Sequence, residues 1–266
     1  VKVWAARSVF LLALCACSPP EAKEYKSAQS EVEQRQFAHA LLLYDHVLKR
    51  APDSEYALKA ARDGARIASL ELKDYKKAIT YLQFLVLNSK EPKERLSAQK
   101  QLAAMYFDQL QNYDKAILEY TRLVESSESE GEKAKYKLNI ARANYYQNNF
   151  FQAQSELDEL LKLKVEDEER FSAIVLQSNI FIAQKECAKA IELLRKVIGL
   201  YPQKAMQENV SQTLAVCYEE TGNFADAIKV LESIKPHHPQ PDYVDLRIKR
   251  LRERQKNQPG AKGLRK

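Results

Sequence analysis

The sequence predicts an all-α array of six helix pairs closed by a C-terminal capping helix. Three observations carry this. Alanines Ala40, Ala78, Ala116, Ala153, Ala190 and Ala227 stand 38, 38, 37, 37 and 37 residues apart, a period typical of helical repeats. Phe37, Tyr75, Tyr113, Phe150, Cys187 and Phe224 stand three residues before them. Apolar residues follow at plus four (Tyr44, Leu82, Tyr120, Leu157, Leu194, Leu231) and plus seven (Val47, Leu85, Leu123, Leu160, Val197, Ile234). Offsets of three, four and seven trace one face of a helix. An aromatic thus opens most second helices, and the alanine one turn later marks close helix approach.

The first helix of each pair has a smaller column twelve residues before the alanine: Ala28, Arg66, Ala104, Ala141, Ser178 and Ala215. Arg66 breaks it. Between the helices lie Lys73-Asp74, Gln111-Asn112, Asn148-Asn149 and Gly222-Asn223. Asn148 and Gly222 suit the left-handed conformation that ends a helix. Pro52, Pro202 and Pro239 close three units; Lys90, Glu128 and Val165 stand at that place in others.

The runs Asn148-Asn149-Phe150-Phe151-Gln152-Ala153 and Gly222-Asn223-Phe224-Ala225-Asp226-Ala227 resemble the turn-aromatic-x-x-Ala core of the tetratricopeptide repeat (TPR). The resemblance covers residues 21–240 as six units. It implies a right-handed α-solenoid whose first helices line a concave groove. The period is three or four residues longer than the family's usual 34. By this likeness the groove-facing residues include Tyr25, Gln29, Asp63, Ile67, Gln101, Met105, Leu138, Arg142, Tyr145, Tyr146, Val175, Asn179, Gln212 and Val216. Such a mixed polar and apolar surface suits a peptide or partner helix. The Lys/Asn/Arg clamp by which some cytosolic members hold a terminal carboxylate does not recur in these units.

Before the array, Lys2 and Arg7 precede an apolar run from Val9 to Ala16. Eight residues cannot span a bilayer, which needs about 20, but they fit a secretory signal. Leu14-Cys15-Ala16-Cys17 resembles the lipobox of bacterial lipoproteins. That likeness implies a signal peptide over residues 1–16, acylation of Cys17, and a lipidated tether over 17–20. Ser18 after the cysteine resembles the outer-membrane sorting signal. An ordinary cleaved signal is the alternative.

After the array, Val244, Ile248 and Leu251 stripe a helix expected over 241–256, which caps the last unit. A basic tail follows over 257–266. Residues 247–266 hold nine Lys/Arg against one Glu, a net +8. Residues 17–246 sum to −4, because the chain totals +6 and loses Lys2 and Arg7 with the signal. Arg247, Arg250 and Arg254 are therefore expected to dock an acidic partner or anionic headgroups, unless they are only a solvated face.

No catalytic, cofactor-binding or metal-ligating residue is expected. His39, His46, His237 and His238 lack metal-ligand spacing with other donors, and six glycines leave no phosphate-binding loop. Nucleic acid and small-molecule substrates are not expected. Cys187 and Cys217, on neighbouring helices, form either a disulfide or two buried thiols. The layout resembles assembly lipoproteins of the BamD type and the pilotins of type IV pili. The expectation is a lipid-anchored scaffold on the periplasmic face of the outer membrane that binds envelope proteins or peptide segments. The alternative is an accessory module for a periplasmic cell-wall enzyme.

Overall fold

A computed structural model describes residues 19–258. Cys15, Cys17, the signal segment and the end of the basic tail lie outside the described residues. Two compact units divide the chain, residues 1–102 and 103–266. Among the described residues the secondary structure is helical, without strands.

The first unit holds α1 (Pro20–Glu33), α2 (Phe37–Arg50), α3 (Glu55–Leu70), α4 (Tyr75–Asn88) and most of α5 (Pro92–Ala104). Helices α1 and α2 pack as a pair, as do α3 and α4. Ser54 and Asp74 cap α3 and α4 through the backbone N–H groups of Ala57 (3.1 Å) and Lys77 (3.0 Å), satisfying donors that a helix start leaves open. The core contains Tyr44, Tyr81, Ile67 and Leu82. Tyr81 is fully buried, and its hydroxyl donates toward the Leu41 carbonyl (3.0 Å) and Asp45 Oδ1 (2.8 Å) on α2.

The second unit begins at the end of α5 and contains a π-helical turn (Met105–Gln109), then α6 (Tyr113–Ser126), α7 (Glu130–Tyr146), α8 (Phe150–Lys162), α9 (Asp167–Ala183), α10 (Cys187–Leu200), α11 (Pro202–Gln207), α12 (Val210–Glu220), α13 (Phe224–Ile234) and α14 (Pro241–Lys256). The pairs α7/α8, α9/α10 and α12/α13 pack internally, and each first helix also lies on the second helix before it. The first helix of the last pair is broken in two. Asn209 adopts φ 56 between α11 and α12, a left-handed residue that interrupts the helix.

All six alanines of the repeat are 0% exposed. Five residues before each stands a left-handed residue: Arg35, Lys73, Gln111, Asn148, Lys185 and Gly222, with φ between 48 and 75. Gly222 takes that conformation freely and Asn148 tolerates it; each of the other four costs about 1–2 kcal/mol. The turn geometry is therefore set by packing more than by local preference.

The small column needs correction in two units. Arg66 is exposed and Ala104 only half-buried. The buried small residues are Ala28, Ala65, Ala103, Ala141, Ser178 and Ala215, each at most 6% exposed. The reason is a residue inserted between column and turn. In units two and three the first helix ends in a wide turn, with Leu72 N–H bonded to Ile67 O and Leu110 N–H to Met105 O. These are π-type bonds from i to i−5, which take up one extra residue. The two 38-residue intervals arise here. With the correction the column is small in all six units. Ser178 fits because its hydroxyl donates to Ile174 O at 2.8 Å within its own helix.

Helix α14 stands where a seventh first helix would. It packs on α13 through Val244, Ile248 and Leu251, each at most 5% exposed. Ion pairs Lys235–Asp245 (2.7 Å), Arg252–Glu232 (2.7 Å) and Arg247–Glu219 (2.5 Å) fasten it.

Candidate functional site

Helices α7 and α9 bring five of the sequence-derived residues together, Val175 of α9 among them. Arg142, Tyr145 and Tyr146 occupy the last turns of α7, and Asn179 lies near the end of α9. With Phe171, Ser172, Val175, Leu176 and Glu208 they line an open pocket of about 550 Å³. Phe171 is 2% exposed and forms part of the wall; Tyr146 is 56% exposed at the mouth.

The aromatic wall is built by the repeat. Tyr113, the ring that opens α6, stacks on Tyr146 with centroids 5.4 Å apart and planes at 20°. Phe107, in the π-helical turn, meets Tyr113 at 5.6 Å and Tyr146 at 5.9 Å. Tyr145 meets Tyr146 edge-on at 5.7 Å and Phe150 at 5.9 Å. Offset and edge-to-face arrangements of this kind are the favoured ones for rings. They hold an exposed tyrosine in place before any partner arrives, which limits the ordering cost of binding. Arg142 reaches only a long contact to Asn139 Oδ1 (3.4 Å). Burial, with the Asp108 carboxylate as a smaller cause, pushes the nearby Tyr120 hydroxyl up to about 12. This surface offers a cation, flat rings, a hydroxyl and an amide, groups suited to binding a peptide.

Other expected groove residues fall elsewhere. Tyr25 is 9% exposed. Its hydroxyl donates to Asp63 Oδ2 at 2.6 Å, and Gln29 Nε2 donates to Tyr25 Oη at 3.2 Å. Burial first, then that bond to Asp63, raises the Tyr25 pKa far above its ordinary value. Tyr25 is thus a structural tie between α1 and α3. Ile67 and Leu138 are buried, at 0% and 6% exposure, because they face neighbouring helices. Gln101 is exposed, with Nε2 3.4 Å from Ser97 Oγ; Met105 is half-buried. Neither lines the pocket beside α7.

Arg247, Arg250 and Arg254 of α14 converge on one pocket with Glu219, Tyr243, Leu246 and Leu251. Their charges are not equally available. Arg247 is held by Glu219, through Nη2 at 2.5 Å and Nε at 2.8 Å. Arg254 lies over the Phe224 ring at 4.7 Å, with Nη1 4.0 Å from Glu219. Arg250 is exposed and makes no ion pair among the described residues.

Sequence reasoning missed Phe171, Ser172 and Glu208. Phe171 carries an ordinary core pattern, and Glu208 reaches the pocket only because the first helix breaks at Asn209. Cys187 and Cys217 are free, buried thiols rather than a disulfide.

Two tetratricopeptide-repeat family models match residues 138–205 and 181–249. Comparison with curated proteins gives no match. Among solved structures, MamA is 18% identical, covering 70% of this chain and 94% of its own, with a TM-score of 0.53. PilW, a type IV pilus biogenesis factor, is 13% identical, covering 84% and 97%, with a TM-score of 0.53. The apo form of RapI is 16% identical, covering 89% and 72%, with a TM-score of 0.55. At these identities the likeness is one of fold. Residues 138–249, which build the pocket beside α7 and most of the second unit, thus match models of the tetratricopeptide repeat, a module that binds peptides and proteins.

Proposed function

We propose that this chain is a non-catalytic scaffold of the Gram-negative cell envelope, anchored through a lipid on Cys17 to the periplasmic face of the outer membrane. Its first-helix surface between α7 and α9 holds an extended or helical segment of an envelope protein, and assists assembly of outer-membrane proteins or of an envelope machine. The carrying observation is the convergence of Arg142, Tyr145, Tyr146 and Asn179 on one open pocket. Rings supply contact area, while Arg142 and Asn179 set polarity and direction. The envelope location is supported by the charged, apolar and lipobox-like order of residues 2–17. PilW, one of the fold neighbours, is itself a type IV pilus biogenesis factor.

The test places a photo-crosslinking residue at Tyr146 or, as a control, at exposed Phe151. A discrete adduct at Tyr146 that disappears with Arg142→Glu supports the reading. Equal, diffuse crosslinking at both positions overturns it. Palmitate-analogue labelling of wild type and Cys17→Ser tests the anchor separately; equal labelling rejects it.

A further inference from the structure

Cys187 opens α10 at the place where the other five second helices carry a ring. In the next unit that ring is Phe224, and Arg254, 30 residues on, lies over it at 4.7 Å. Cys187 and Cys217 are also 30 residues apart, each 37 residues earlier. The repeat therefore sets Cys217 over Cys187 as it sets Arg254 over Phe224. Both thiols belong to the apolar core formed from α9 to α14.

The two differ in access. Cys217 is 0% exposed. Cys187 is 9% exposed and lines an open surface pocket with Ile182, Lys185, Val216 and Glu220. A thiol is much smaller than a ring, so the missing aromatic leaves this space open to solvent. Burial first, then the neighbouring Cys187 thiol, pushes the Cys217 thiol well above its ordinary value. Cys217 is thus kept protonated behind its partner.

We propose that Cys187 and Cys217 form a reactive dithiol that takes a disulfide reagent, with Cys187 as the attacking thiol and Cys217 as the resolving thiol. The Cys187 thiolate attacks one sulfur of R–S–S–R; a new S–S bond forms, the reagent's S–S bond breaks, and one thiol leaves carrying the proton lost by Cys187. The Cys217 thiolate then attacks the Cys187 sulfur, and the second thiol leaves with the proton of Cys217. Two cysteines are oxidised and one reagent disulfide is reduced. Exchange through such a mixed disulfide depends on access to the first sulfur, which the pocket supplies. The product ties α10 to α12, and cross-linking residues 30 apart also restricts the unfolded chain.

The experiment treats the full chain with oxidised glutathione and assigns every thiol by peptide mapping, which separates Cys15 and Cys17 from the pair. The wild type is expected to end with a Cys187–Cys217 disulfide and no retained glutathione. Cys217→Ser is expected to keep glutathione on Cys187. Cys187→Ser is expected to leave Cys217 unmodified until denaturant is added. Cys217→Ala replaces the serine variant if the hydroxyl prevents folding, as judged by circular dichroism. The proposal is overturned if the folded wild type keeps both thiols free, if folded Cys217→Ser or Cys217→Ala takes no glutathione, or if Cys217 reacts as quickly without Cys187 as Cys187 does.

Discussion

Gly64 on α3 faces the ring of Tyr81 on α4 so closely that a Cβ at position 64 would stand 2.8 Å from Cε2 and Cζ. The ring cannot give way. It is fully buried, and its hydroxyl is held by the Leu41 carbonyl and Asp45. Gly64→Ala gains about 1 kcal/mol of helix propensity but overpacks the contact at a cost of about 1–3 kcal/mol. The expected outcome is a net loss of stability in denaturant unfolding. Adding Tyr81→Leu should make Gly64→Ala neutral or favourable, since the opposing ring is gone.

Ala227 and Ala225 share α13, yet Ala227 is 0% exposed and Ala225 is exposed. Ala227→Leu should cost about 1–3 kcal/mol, while Ala225→Leu should stay within about 0.5 kcal/mol. Paired thermal melts check this. Ala98 on α5 cannot serve as the control: it is 2% exposed, so leucine there is expected to destabilise as well.

The wide turn before α6 holds one residue more than the turn before α8. Deleting exposed Gln109 should convert the π-type turn to an α-helical one and keep the column at Ala103 opposite the alanine at 116, within about 1 kcal/mol of wild type. Deleting Gln147 removes a residue from a turn with none to spare. It should shift Ala141 against Ala153 and give a much larger loss in the same unfolding assay.

Alkaline pH should unfold the protein through its tyrosines. Burial is the largest cause holding the Tyr44 and Tyr120 hydroxyls up near about 12, and Tyr25 and Tyr81 are raised further. In the unfolded chain they ionise near 10. A raised folded pKa means that the stability contribution is complete below about pH 10 and is lost as pH climbs through about 12. Melting midpoints measured from pH 8 to 11.5 should fall above pH 10. Tyr120→Phe should make that fall shallower, with tyrosinate absorbance appearing alongside unfolding.

Arg247 and Arg250 should separate structure from recognition on α14. Arg247→Glu puts two carboxylates together at Glu219 and should lower the melting midpoint. Arg250→Glu should leave it unchanged and weaken capture of an acidic peptide probe, most clearly at low salt. Reversing all three arginines is not a clean test of docking, because Arg247 and Arg254 also hold the helix down.

The alanine and aromatic columns were legible because they report close helix contact, which tolerates few side chains. The π-type turns were not. An inserted residue shifts the column by one, and Arg66 read as a broken column when it was the neighbour of the true member, Ala65. Of the expected groove residues, Tyr145, Tyr146 and Asn179 lie toward the ends of α7 and α9 and line one open pocket. The groove was misread at Tyr25, Ile67 and Leu138, because a repeat-based analogy fixes the helix face but not the depth of each neighbour. Asn209 gave no signal strong enough to place a break inside a helix, and Glu208 was missed with it.

Arg252 stands 25 residues after Ala227, the same step that leads from each earlier alanine to a buried small residue. At that place the protein presents a guanidinium, exposed and paired with Glu232 at 2.7 Å. Any helix stacked there in the manner of α13 on α12 would bury a cation and strip it of water. Growth of the array by simple duplication of its last pair is therefore disfavoured at α14 for as long as Arg252 stands there. Engineers wishing to lengthen the array must first exchange Arg252 for alanine, whereas a fusion attached after Lys256 leaves this terminus closed.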